Sequence, residues 1–146
     1  VVKEGLDALL DRARMTPEGL DLSGTVVANE HLYVQGLATI ALCETAALTK
    51  DPRYSKPAWQ AVRYIIAAQD TRGGGWRYAP RQPGDTSVVG WQVMALKSAQ
   101  NSRMKIPSGT FRLVDKFLDS VQAEKGAMYG YTDAPRSAAE APPTLT

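Results

Sequence analysis

Only a few side chains in this sequence are suited to proton or nucleophile chemistry, and they stand apart from one another. Asp85, in "PGDTSVVGW", could protonate a carbon–carbon double bond if it were desolvated among acidic neighbours. It stands alone, however, and Thr86 and Ser87 follow it, so the residue types read as a helix N-cap. His31 can act as a base, but a single histidine at the start of a helical pattern reads as a capping or surface residue. Asp85 and His31 are thus the weak catalytic candidates. Cys43 sits in an apolar run with no basic neighbour to lower its pKa and reads as a small core residue. One cysteine and one histidine make no zinc set of ordinary spacing, and neither a metal nor a cofactor is expected. Arg72, Arg77 and Arg81 could receive an anion, though arginines spread along a loop are usually solvated.

The elements that must carry these residues are helical. In "VVKEGLDALLDRAR", apolar residues recur at i, i+3, i+4 and i+7, which predicts a helix over 2–14. Pro17 and Gly19 interrupt that pattern. The run "HLYVQGLATIALCETAALT" predicts a helix over 31–49 that is buried on most sides. Ser55 and Pro57 form a start signal for a helix over 55–69. Two further helices are expected over 86–100 and 107–124, the second and fourth being the most buried, and a turn-rich tail over 132–146.

Composition narrows the class. The chain has 146 residues, 44% hydrophobic and 22% charged, which suits one globular domain. Its net charge of +2, with no block of like charges, gives no electrostatic footprint for nucleic acid. No apolar stretch approaches the roughly 18 residues needed to span a bilayer, so no membrane-spanning segment is expected.

The chain also repeats itself. "YVQGLATIALCETA" superposes on "SVVGWQVMALKSAQ" without gaps, setting Gly36 on Gly90 at an offset of 54 residues. "YIIAAQDTRGGGW" and "FLDSVQAEKGAM" repeat the order aromatic, aliphatic, glutamine, glycine and large apolar residue, with Gln69 and Gln122 separated by 53. "LLDRARMTPEGLD" is a degenerate earlier copy with Arg14 in the glutamine position. Each pair joins an amphipathic helix to an apolar one, which implies an outer layer over an inner layer.

"QAVRYIIAAQDTRGGGW" resembles the QW motif of the squalene cyclase and prenyltransferase superfamily, except that Gln60 replaces the usual basic residue. With "GLATIALCE" and "GDTSVVGWQVMALKSAQ", the likeness runs most closely to bacterial repeat proteins of that superfamily without assigned activity. It covers the repeats from about Val2 to Tyr131, with Met128 replacing the tryptophan in the last copy. The resemblance implies an all-α fold, a partial α/α toroid of helical hairpins. It gives Gln69, Gly74 and Trp76, and likewise Gln122 and Gly126, structural roles at the hairpin junctions. Gln69 and Gln122 are expected to bond backbone there, with Trp76 buried over the junction. Inner helices of such toroids line a central cavity, so Glu30, Tyr33, Thr86 and Trp91 become candidates for a ligand pocket. Tyr129 and Tyr131 are expected to pack at the third junction.

The Asp-x-Asp-Asp acid signature of the cyclases and the zinc ligands of the protein prenyltransferases are both absent from this chain. The Cys-Gly-Glu-Gln run of thioester domains is absent as well, since Glu, Thr and Ala follow Cys43. The favoured expectation is a binding or scaffold module inside a larger protein. Its partners would be the rest of the same polypeptide, another chain, or an apolar small molecule. The alternative is a fragment of a terpene cyclase or prenyltransferase-like enzyme. One more period from Gly90 reaches residue 144, so the ring is expected to be incomplete here, with apolar flanks that associate.

Overall fold

A computed structural model describes residues 2–25 and 28–135. The protein is mostly helical. Among the described residues five α-helices follow in order: α1 (Val2–Asp11), α2 (His31–Thr49), α3 (Pro52–Ala68), α4 (Thr86–Asn101) and α5 (Ser108–Val121). Two short antiparallel hairpins accompany them, β1 (Arg14–Thr16) with β2 (Gly19–Asp21), and β3 (Gln122–Ala123) with β4 (Met128–Tyr129). The tail beyond Pro135, including the point where a third inner helix was expected near 144, lies outside the described residues.

The helix starts follow from local chemistry, and one differs from expectation. α3 begins at Pro52, three residues before the Ser55 signal, because Asp51 is the stronger cap: its Oδ1 accepts from the Arg53 N–H while Pro52 takes the first helical position. Pro57 is therefore inside the helix. α1 stops at Asp11 rather than continuing to residue 14, because Arg14 is drawn into the hairpin, where it pairs with Asp21 in register and donates to its carboxylate at 2.9 Å. α5 is likewise shorter than expected, ending at Val121 where Gln122 turns extended.

α2 is the central helix, packed against both α4 and α3, and α5 is reached by α4. Leu32, Leu42, Cys43, Val88, Ala95 and Leu96 are fully or almost fully enclosed. α3 is as deeply engaged as α4, with seven buried residues against six, which departs from the expected order. The cause is β2, which lies along the other side of α3, so that this helix is covered from two directions. Among the described residues, α2 is the one helix long and apolar enough to cross a membrane, contrary to the expectation that no stretch would approach that length. Here it serves as a core helix, and the polar side chains of Gln35 and Thr39 are buried with it.

Candidate functional site

Three places concentrate the residues singled out above: the junction after α3, the polar network at the starts of α2 and α4, and the exposed apolar side chains of those two helices.

At the junction, Gln69 follows the last residue of α3 and is buried. Its Nε2 donates to the Gly74 carbonyl at 2.8 Å and to the Thr110 carbonyl at 3.1 Å, tying the loop to the first turn of α5. Gly74 takes φ +91°, and a Cβ on it would stand 1.9 Å from the Leu113 carbonyl oxygen, so only glycine fits between the loop and α5. Gly19 is placed the same way against α3: with φ +146°, a Cβ there would reach 2.3 Å from the Gln60 carbonyl oxygen. Trp76 is fully buried and donates its indole N–H to Ile65 O at 2.7 Å.

Gln122 ends α5 with the same extended backbone as Gln69, yet its amide donates to Asp119 Oδ1 at 3.2 Å at the surface and, among the described residues, makes no backbone bond across a junction. Gly126 keeps the left-handed φ of +87°. Tyr129 packs against the core as expected.

Asp85 caps α4. Its Oδ1 accepts from the Val88 N–H at 2.8 Å, while its buried Oδ2 has no hydrogen bond and lies 3.8 Å from Arg77 Nε, which is also buried and unpartnered. Burial pushes the carboxyl above its ordinary range, and the Val88 N–H, the Tyr131 hydroxyl and the Arg77 charge offset only part of that. Arg77 is therefore not a solvated loop arginine; its guanidinium also lies over the Tyr78 ring. The Tyr78 and Tyr131 hydroxyls meet at 2.7 Å, and Tyr33 stacks near Tyr78 with ring centroids 6.3 Å apart. Thr86 Oγ1 donates to Gly130 O. Asp85, Tyr33 and Thr86 thus belong to one neighbourhood, at the starts of α2 and α4.

His31 belongs to a separate cluster. Its Nε2 lies 3.0 Å from the Tyr64 hydroxyl and 3.3 Å from Asp21 Oδ1. The histidine is half-buried rather than a surface cap, and neighbouring Glu30 makes no side-chain cap either. Burial pushes Asp21 upward, but hydrogen bonds from Ser23 and Arg14, together with the His31 charge, outweigh it and leave the carboxyl below its ordinary range. Cys43 is enclosed, and burial pushes its thiol to about 12, which leaves it unreactive. Among the described residues no group of His, Cys, Asp or Glu is arranged to hold a metal.

Leu37 on α2 and Met94 on α4 are each 47% exposed although their helices form the core. Half-buried Tyr33 and Trp91 lie one turn before them, and Trp91 sits against Gly36 where the two helices cross.

No family model, curated protein or solved structure matches this chain.

Several residues that build these sites gave little sign in the sequence. Gln35 accepts from Leu22 N–H and donates to the Leu20 and Ala61 carbonyls, clasping the hairpin to α2 and α3. Gln92 donates to Leu32 O from the facing helix. The signal available for both was an amide in an otherwise apolar helix, which rarely stays buried without a partner.

Proposed function

We propose that this chain is a binding and scaffold module of the α/α-toroid repeat type, working within a larger protein, with the exposed apolar side chains of α2 and α4 as its ligand surface. The observation that carries the reading is the exposure of Leu37 and Met94 on α2 and α4, beside Trp91 and Tyr33. Large apolar side chains left exposed on the two most closely packed helices are suited to contact with an apolar occupant.

The repeat part of the reading has support of its own. Gly19 lies against the Gln60 carbonyl and Gly74 against the Leu113 carbonyl, so both the junction glycines and the outer-helix carbonyls they touch recur at the sequence period. Leu32 N–H donates to Tyr78 O and Thr86 N–H to Tyr131 O, one such bond at the start of α2 and one at the start of α4.

The occupant that fits is an apolar small molecule or an apolar segment of another part of the protein. A second reading, a cyclase- or prenyltransferase-like enzyme, is favoured by one observation: Asp85 is a buried carboxyl with a raised pKa and an unbonded oxygen. Incubating the full chain with squalene and with prenyl diphosphates, followed by native mass spectrometry and product analysis, separates the two. Saturable binding without conversion supports the module. Cyclised or transferred product replaces it with the enzyme reading, and the absence of any apolar binding overturns the ligand surface.

A further inference from the structure

Three clefts are strung along the side of the molecule formed by the first hairpin, the end of α3 and the loops beyond it. The first, about 380 Å³, and the second, about 320 Å³, share Arg14 and Asp21 as walls. The second and the third, about 390 Å³, share Arg81. The result is one groove with four arginines along it, Arg12, Arg14, Arg81 and Arg72, and no wall residue in common with the Leu37 and Met94 face.

The charges do not fully cancel. Asp21 is paired with Arg14, while Ser23 and His31 also lie on its carboxylate. Asp70 accepts the N–H groups of Arg72 and Gly73 and keeps its charge, so Glu18 and Asp70 are the wall carboxylates set against Arg12, Arg72 and Arg81, none of which makes an ion pair among the described residues. Lys116 adds a cation beside the third cleft by donating to Arg72 O.

We propose that this groove binds an extended acidic peptide segment whose carboxylates pair with Arg12, Arg81 and Arg72 in turn. Arginine forks match carboxylates in a bidentate manner. Between the arginines the walls are Tyr64, Ala67 and Pro80, surfaces suited to peptide side chains. A nucleic-acid strand is disfavoured, because among the described residues that line the groove Tyr64 is the one aromatic side chain on which a base could stack.

The test is fluorescence anisotropy of the full chain with a fluorescein-labelled peptide bearing glutamate at every third position. Saturable binding that weakens with salt is expected, reduced roughly two- to fivefold by each of Arg12→Gln, Arg72→Gln and Arg81→Gln. The triple variant should lose about tenfold or more with its helical circular dichroism intact, and Arg103→Gln, at the far end of α4, should match the wild type. If the triple variant unfolds, the same peptide with lysine for glutamate decides on the wild-type chain: equal binding overturns the proposal, and lost binding supports it. No saturable binding, unchanged binding in a folded triple variant, or tighter binding of a single-stranded oligonucleotide lost in that variant each overturns it.

Discussion

The hydroxyls of Tyr78 and Tyr131 meet at 2.7 Å while the carbonyls of the same two residues accept the Leu32 and Thr86 N–H groups that open α2 and α4. The two loops that seat α2 and α4 are thereby joined to each other. Tyr78→Phe and Tyr131→Phe are each expected to cost about 0.5–1.5 kcal/mol, and the double variant less than their sum, because both changes remove the hydrogen bond the hydroxyls share while Tyr131→Phe also takes a hydroxyl from beside Asp85. Urea denaturation of the four proteins checks this; fully additive losses would mean that the hydroxyls act independently.

Gln69 and Gln122 end their helices alike but are bonded differently, so their substitutions should diverge. Gln69→Leu leaves the Gly74 and Thr110 carbonyls without their amide donor and is expected to cost about 1–3 kcal/mol, whereas Gln122→Leu, which removes an exposed amide bonded to Asp119, should stay within about 0.5 kcal/mol. Trp76→Ala, which opens a cavity at a fully buried site, should cost about 3–5 kcal/mol. Equal effects at the two glutamines would remove the distinction drawn between them.

Gly74→Ala should be worse than its single methyl group suggests. The left-handed backbone alone costs about 1–3 kcal/mol with an unsuited side chain, and the added Cβ would also have to displace Leu113 O and with it the start of α5. A thermal midpoint unchanged from the wild type would show that the loop and α5 are not in contact as described.

Asp85 gives a pH signature with a definite sign. Its folded pKa lies above 3.8, so as pH rises past that value the unfolded chain loses the proton first and the folded state is progressively disfavoured until the native carboxyl also ionises. Asp85→Asn, which keeps a capping oxygen, should therefore match the wild type at pH 3 and equal or exceed its stability at pH 7. Asp85→Ala should cost about 1 kcal/mol through the lost cap. A wild-type advantage over the asparagine variant that grows toward neutral pH would contradict the buried-carboxyl account.

Much of the fold was legible because the strongest signals are local. The apolar run of α2 and the Asp85, Thr86, Ser87 start of α4 gave boundaries that match the structure within a residue. The first hairpin was not legible, because three-residue strands leave too short an alternation to read and Gly19 is held by a distant surface, the backbone of α3. The polar clusters followed the same rule. Asp85 as a cap is a statement about its own next three residues, and it was readable. The meeting of His31 with Tyr64 and Asp21 depends on how three elements pack, and nothing in the spacing of those residues announces it.

The most direct measurement is the affinity of the full chain for squalene, or for another apolar ligand that it binds, in wild type and in Leu37→Glu/Met94→Glu. Both side chains are nearly half exposed, so the double variant should keep its thermal midpoint to within a few degrees. If the exposed apolar side chains of α2 and α4 form the ligand surface, affinity falls by roughly tenfold or more, as expected when two apolar contacts are replaced by charges. Unchanged affinity in the folded variant would contradict the proposed site.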